Sequence, residues 1–125
     1  MLTTLPSDRA APAQARHLAG SYMDGLGVDA QIRRSVQLMV SELVTNAVQH
    51  GGPPIRLFIR AYAGHLIVEV EDCGPPLPHD LAPQDLARGR GLFIVERLSI
   101  QWGERSHDQG KTIWCDVSLT PPKQR

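Results

Sequence analysis

Four consecutive residues, Gly51-Gly52-Pro53-Pro54, divide this chain into two unlike parts. No helix runs through them: glycine adds backbone entropy, and proline lacks the N–H donor and clashes with the preceding turn. Before the break, apolar residues recur at helical spacing; after it, they alternate as in strands. Ala10 to Met23 is alanine-rich, follows Ser7-Asp8, carries Pro12 early and runs into Gly25 and Gly27. These are the start and stop signals of a helix. Asp29 is the expected N-cap of a second helix over about 30–50, whose stripe is Ile32, Val36, Met39, Leu43 and Ala47.

Beyond the break, Ile55 to Tyr62 alternates like a strand, Ala63-Gly64-His65 reads as a turn, and Leu66 to Glu71 reads as the returning strand. Residues 73–88 contain Pro75, Pro76, Pro78 and Pro83 and read as a loop with room for one helical turn. Gly91 to Ser99 predicts a short apolar helix; Ile100 to Arg105 and Lys111 to Leu119 predict a second hairpin around Ser106 to Gly110. Helices first and hairpins after predict an α+β fold, with helices on one face of a mostly antiparallel sheet.

A length of 125 residues suits one domain, and a 42% hydrophobic share is enough to build its core. Basic and acidic residues balance at 13 each. That balance argues against nucleic-acid binding by phosphate neutralisation and against a polybasic membrane patch. Aromatics at 5% argue against base-stacking platforms for single strands. Cys73 and Cys115 are too far apart for a CxxC metal site and do not form a disulfide framework. The first residues lack the pattern of a secretory signal, and no apolar run reaches membrane-spanning length. The expectation is a cytoplasmic domain at 6–119 with reduced thiols, followed by a short polar tail at 120–125.

Two familiar phosphate motifs fail. Gly89-Arg90-Gly91-Leu92-Phe93-Ile94 lacks the third glycine of a dinucleotide fingerprint and no strand leads into it. Gly110-Lys111-Thr112 has Arg105 where a phosphate loop needs its first glycine, and a strand follows instead of a helix. GxSxG and HExxH are both missing, and the five histidines are scattered.

A different constellation remains. Glu42, Asn46 and His50 lie four apart and share one helical face beside the apolar stripe of Leu43 and Ala47. Two arrangements fit: a solvated polar face, or the wall of a pocket at the core's edge. In the second, the carboxylate suits a general base and the amide oxygen suits an Mg²⁺ that keeps its waters and phosphates. On the returning strand, period two puts Asp72 on the side of Leu66, Val68 and Val70. Either the strand ends before Asp72, which then caps a turn, or Asp72 is an inward carboxylate. A buried carboxylate needs a donor, such as the exocyclic amine of adenine, and Gly74 lets backbone approach the base. Gly89, Arg90, Gly91 and Leu92 enter a helix start and offer backbone N–H groups to phosphate. The proline-rich stretch before them has the makings of a lid. Thr112, in the last strand, carries a hydroxyl suited to the base or to a water beside Asp72.

Glu42-x-x-x-Asn46-Ala47, Asp72-x-Gly74, Gly89-x-Gly91-Leu92 and Gly110-Lys111-Thr112, in this order and spacing, resemble the GHKL ATP-binding fold. Within it the chain is similar to the small bacterial anti-sigma-factor serine kinases and their stand-alone ATP-binding relatives, from about residue 6 to 119. The resemblance implies a two-layer α/β sandwich with a mixed, mostly antiparallel sheet, and ATP held with Mg²⁺ beneath a lid. It implies Glu42 as catalytic base, Asn46 as metal-side ligand and Asp72 as adenine reader, assisted by Thr112. Gly74 would lie against the base, and His50 falls at the end of the family's helix motif. Gly89, Arg90, Gly91 and Leu92 would face the phosphates. The partners implied are a sigma factor and an antagonist (anti-anti-sigma) protein, with a homodimer common in the family. The alternative is a non-catalytic ATP-binding interaction module; a third reading, the ATPase half of a sensor histidine kinase, is disfavoured because neither His17 nor His50 has the setting of a phospho-acceptor histidine on a dimerisation helix pair. The chain departs from the family at Pro76, which stands where the adenine motif DxGxG has its second glycine. Proline there stiffens the hinge of the lid.

Overall fold

In the computed structural model, the described residues are 1–75, 95 and 97–121. The elements run β1 (Leu2–Leu5), α1 (Ala11–Asp24), α2 (Ala30–His50), β2 (Ile55–Tyr62), β3 (His65–Asp72), β4 (Gln101–His107) and β5 (Gly110–Ser118). Asp29 caps α2 as expected: its carboxylate accepts from the N–H groups of Gln31 at 3.1 Å and Ile32 at 3.3 Å. Two donors left over at the helix start are thereby satisfied. Helix α1 begins without a side-chain cap, on Ala10, and Asp8 accepts the Ala10 N–H just outside it at 2.8 Å. Ala11, Ala15 and Ala19 are fully buried at i, i+4 spacing. Their small side chains let α1 lie close to α2, and Gln37 of α2 donates to the Arg16 carbonyl at 3.0 Å.

The five strands lie in the order β1-β2-β3-β5-β4, and all four pairings are antiparallel. The fold is therefore α+β as predicted, and its described strands form a wholly antiparallel sheet where a mixed one was implied. Strand β1 was not foreseen. Leu2-Thr3-Thr4-Leu5 has no strand-like alternation; its backbone groups find partners only because the edge of β2 is there to receive them, with Leu5 opposite Ile55. Hairpin turns are tighter than expected. Ala63 and Gly64 both have positive φ and turn the chain in two residues, so His65 joins β3. Likewise β4 extends through Ser106 to His107, opposite Gly110.

One face of the sheet carries the helices. Leu57, Ile59, Leu66, Val68 and Cys115 are fully buried there, against Val36, Met39, Val40 and Val44 of α2. The opposite face carries Arg56, Phe58, Glu69, Glu71 and Trp114 and is half exposed. The expected helix at 91–99 lies mostly outside the described residues; Val95, Arg97 and Leu98 are helical, and Val95 is buried.

Candidate functional site

Strand β3 runs one residue past its expected end and takes Asp72 with it. Of the two arrangements left open by the sequence, the inward one is present: Asp72 is 2% exposed. Its Oδ1 accepts from the Gly74 N–H at 2.7 Å and from the Lys111 ammonium at 2.9 Å. The backbone closes tightly around this carboxylate. A Cβ on Gly51 would overlap the Asp72 carboxyl group, and one on Gly74 would stand 2.5 Å from the Gly51 Cα. Gly110, at φ +151°, has no room for a side chain against the Asp72 carbonyl.

Lys111 is the residue the sequence reading missed at this place. Register pairs Val70 with Ile113 and Asp72 with Lys111, so Lys111 continues the inward row of Val117, Cys115 and Ile113. That row was a usable signal, since period two places Lys111 with the core residues. Thr112 must be corrected for the same reason. It pairs with Glu71, and its hydroxyl lies 3.4 Å from His107 Nε2 on the helix-free face, away from the Asp72 carboxylate.

Glu42 and Asn46 are half-buried and His50 is exposed, one turn apart on α2. Among the described residues, no hydrogen bond or ion pair engages the Glu42 carboxylate or the Asn46 amide. Helix α2 ends beside Asp72. Gly51 caps it by donating to the Ala47 carbonyl, and the Gly52 carbonyl accepts from the Cys73 N–H at 2.9 Å. The exits of α2 and β3 are thus stitched together, which brings the polar stripe of the helix and the buried carboxylate to one end of the sandwich. Gly89, Arg90, Gly91, Leu92 and the expected lid beyond residue 75 lie outside the described residues.

Two other features do not join this site. A polar hollow of about 420 Å³, lined by Arg56, Glu71, Cys73 and His107 among others, includes none of Glu42, Asn46 and Asp72. The Cys115 thiol is pushed up to about 12 by burial, against a smaller opposing effect of a hydrogen bond with Ser99, and stays protonated at neutral pH.

The sequence pattern of the histidine kinase-like ATPase domain family matches residues 5–116. The chain belongs to this family. It is 28% identical over 108 residues to a signal transduction histidine-protein kinase of Streptomyces coelicolor, covering 81% of this chain and 18% of that protein. The chain therefore spans under a fifth of that relative. By fold it is similar to the RsbU and RsbW domains of a Mycobacterium tuberculosis protein (TM-score 0.76, 21% identity, 98% of this chain and 33% of that one). It is also similar to the catalytic domain of the histidine kinase ThkA (TM-score 0.60, 17% identity, 98% of this chain and 99% of that one). The α+β sandwich is thus the family's fold, and the chain is an ATP-binding domain of the histidine kinase-like type. Among the described residues, no helix is long and apolar enough to cross a membrane.

Proposed function

We propose that this domain is an anti-sigma factor that binds ATP with Mg²⁺ and phosphorylates a serine or threonine of an antagonist protein in the cytoplasm. The observation that carries this reading is the buried Asp72 carboxylate, walled by glycine backbone, at the end of the sandwich where α2 brings Glu42 and Asn46. Asp72 would accept the exocyclic amine of adenine, with Gly74 against the base and His50 at the mouth. Among the described residues, no three His, Cys, Asp or Glu side chains cluster as a metal site. Magnesium does not need such a cluster: it retains waters and phosphate oxygens and is held by one or two protein oxygens. The Asn46 amide oxygen fits that role. When bound, the cation neutralises phosphate charge.

Glu42 lies one turn before Asn46 on α2, and in this reading the terminal phosphate would extend toward it. Its carboxylate would take the proton of the substrate hydroxyl as that oxygen bonds to the γ-phosphorus. The bond to the departing ADP oxygen breaks in the same displacement. The ordered motif set supports the anti-sigma kinase assignment, together with sigma factor and antagonist as partners and a homodimer as the assembly. One sequence feature favours a passive ATP-binding module instead: Pro76 stands where the adenine motif has its second glycine and stiffens the hinge of the lid.

The deciding experiment incubates the protein with labelled ATP, Mg²⁺ and candidate antagonist proteins. Acid-stable phosphoserine or phosphothreonine is the expected product; acid-labile phosphohistidine would place the chain with the histidine kinases. Glu42→Gln should keep ATP affinity within a few-fold and slow single-turnover transfer about 10²-fold, the scale of a general base. Full transfer by the folded variant rejects Glu42 as base. Tight ATP binding without transfer to a cognate antagonist leaves the passive module.

A further inference from the structure

We infer that Lys111 is an internal competitor for the base-reading carboxylate and sets the affinity of this domain for adenine nucleotides. The inference rests on the reading of Asp72 as the adenine contact. The Lys111 ammonium stands 2.9 Å from Asp72 Oδ1, and the two side chains are 5% and 3% exposed. This is not a surface lysine that happens to reach a carboxylate. It projects from the row of Ile113, Cys115 and Val117 into the helix-covered side of the sheet, where a charge persists only with a partner.

Oδ1 accepts from both the Gly74 N–H and Lys111. Two donors fill the two lone pairs of that oxygen. An adenine amine is a neutral donor and brings the same hydrogen-bonding sense as the ammonium, without its charge. It therefore displaces Lys111 only at the expense of a charge-assisted bond in a desolvated setting. The glycine walls leave the carboxylate little freedom to turn, since a side chain at Gly51 would already overlap it and one at Gly74 would press on Oδ1. Lys111 can leave: its four-carbon stem is flexible and its head is strongly hydrated once it reaches water. In the nucleotide-free protein, Lys111 thus compensates the charge that a base amine at Oδ1 or the neighbouring Oδ2 would otherwise meet, and the amine gains the full carboxylate only as Lys111 withdraws.

The test is calorimetric titration of the full chain with Mg²⁺-ATP and with Mg²⁺-ITP, whose base has an oxo group in place of the amine. Lys111→Thr removes the ammonium and opens the carboxylate. Lys111→Gln keeps length and a neutral donor, and guards against a threonine variant that does not fold. Lys111→Arg keeps the charge. The expected result is about tenfold or tighter ATP binding by Lys111→Thr, the scale of a hydrogen bond to a charged group. Lys111→Gln should show a smaller gain and Lys111→Arg an affinity within a few-fold of the native chain. The gain should be confined to ATP, and the nucleotide-free Lys111→Thr protein should melt lower than the native one. A merely structural lysine would lower melting temperature and affinity together. Unchanged or weaker ATP binding by folded Lys111→Thr or Lys111→Gln overturns the inference, as does an equal gain for ITP. Failure of the native chain and every variant to bind ATP overturns instead the reading of Asp72 on which it rests.

Discussion

Glu71 and Asp72 are neighbours on β3, yet they face opposite environments. Glu71 lies on the open side of the sheet, 3.6 Å from Arg56, with side chains 36% and 52% exposed. Glu69 on the same side meets Arg105 at 2.9 Å, again with both partners wet. Asp72 turns toward the helices and meets Lys111 at the same 2.9 Å, but with side chains only 3% and 5% exposed. Distance alone makes the Glu69–Arg105 and Asp72–Lys111 pairs look equivalent. Solvent separates them. On the open face, water and salt screen the attraction and each partner is well solvated without the other. On the covered face, the apolar residues around the pair offer neither charge another ion partner, so losing one partner leaves the other charge uncompensated until a new donor or water reaches it.

The largest break in this comparison should come from Asp72→Ala. It strands the Lys111 ammonium in the covered side, at a cost of about 3–5 kcal/mol in unfolding free energy. Replacing both partners, Asp72→Leu with Lys111→Met, should recover most of that loss, since no buried charge is left. Urea denaturation of the two variants decides it. A single-variant loss below about 1 kcal/mol would mean that the pair behaves like those on the open face.

A smaller effect is expected at the open-face pair. A double-mutant cycle on Glu69→Ala and Arg105→Ala should give a coupling of about 0.2–1 kcal/mol, fading as salt is raised. A coupling above about 2 kcal/mol, insensitive to salt, would erase the contrast between the faces.

The smallest effect is read at the cysteines. Cys73 is exposed beside Asp72, and Cys115 is buried in the row that leads to Lys111. Alkylation of the native protein near pH 8 should label Cys73 alone, with Cys115 reacting only after unfolding. The Cys115 thiol has its ordinary value of 9.0 when unfolded, and burial in the folded protein pushes it up to about 12. Its contribution to stability is therefore complete below about pH 9 and is lost as pH rises toward 12. Denaturation midpoints across that window should fall less steeply in a Cys115→Ala variant.

Local chemistry was enough to read the helices and the first hairpin. Gly51-Gly52-Pro53-Pro54 breaks a helix wherever it stands, Asp29 caps the turn that follows it, and the alternation of Ile55 to Tyr62 carries its own burial pattern. The inward parity of Asp72 belongs here too, because period two holds for as long as the strand does. The helical stripe of Glu42, Asn46 and His50 is equally a matter of spacing, and it sits on α2 as expected.

Other features depended on partners distant in the chain. Strand β1 exists because the edge of β2 accepts its backbone, a fact absent from Leu2-Thr3-Thr4-Leu5 itself. That β3 continues through Asp72 depends on β5 lying beside it, with Lys111 opposite. The contact between Gly51 and the Asp72 carboxyl group joins a helix end to a strand end through packing alone. The sequence by itself determined which residues are helical and which alternate, since these follow from backbone geometry over a few residues. Only the tertiary structure decided that the partner of Asp72 is Lys111. Sheet register is set by many strand contacts at once, and a shift of one residue exchanges the two faces.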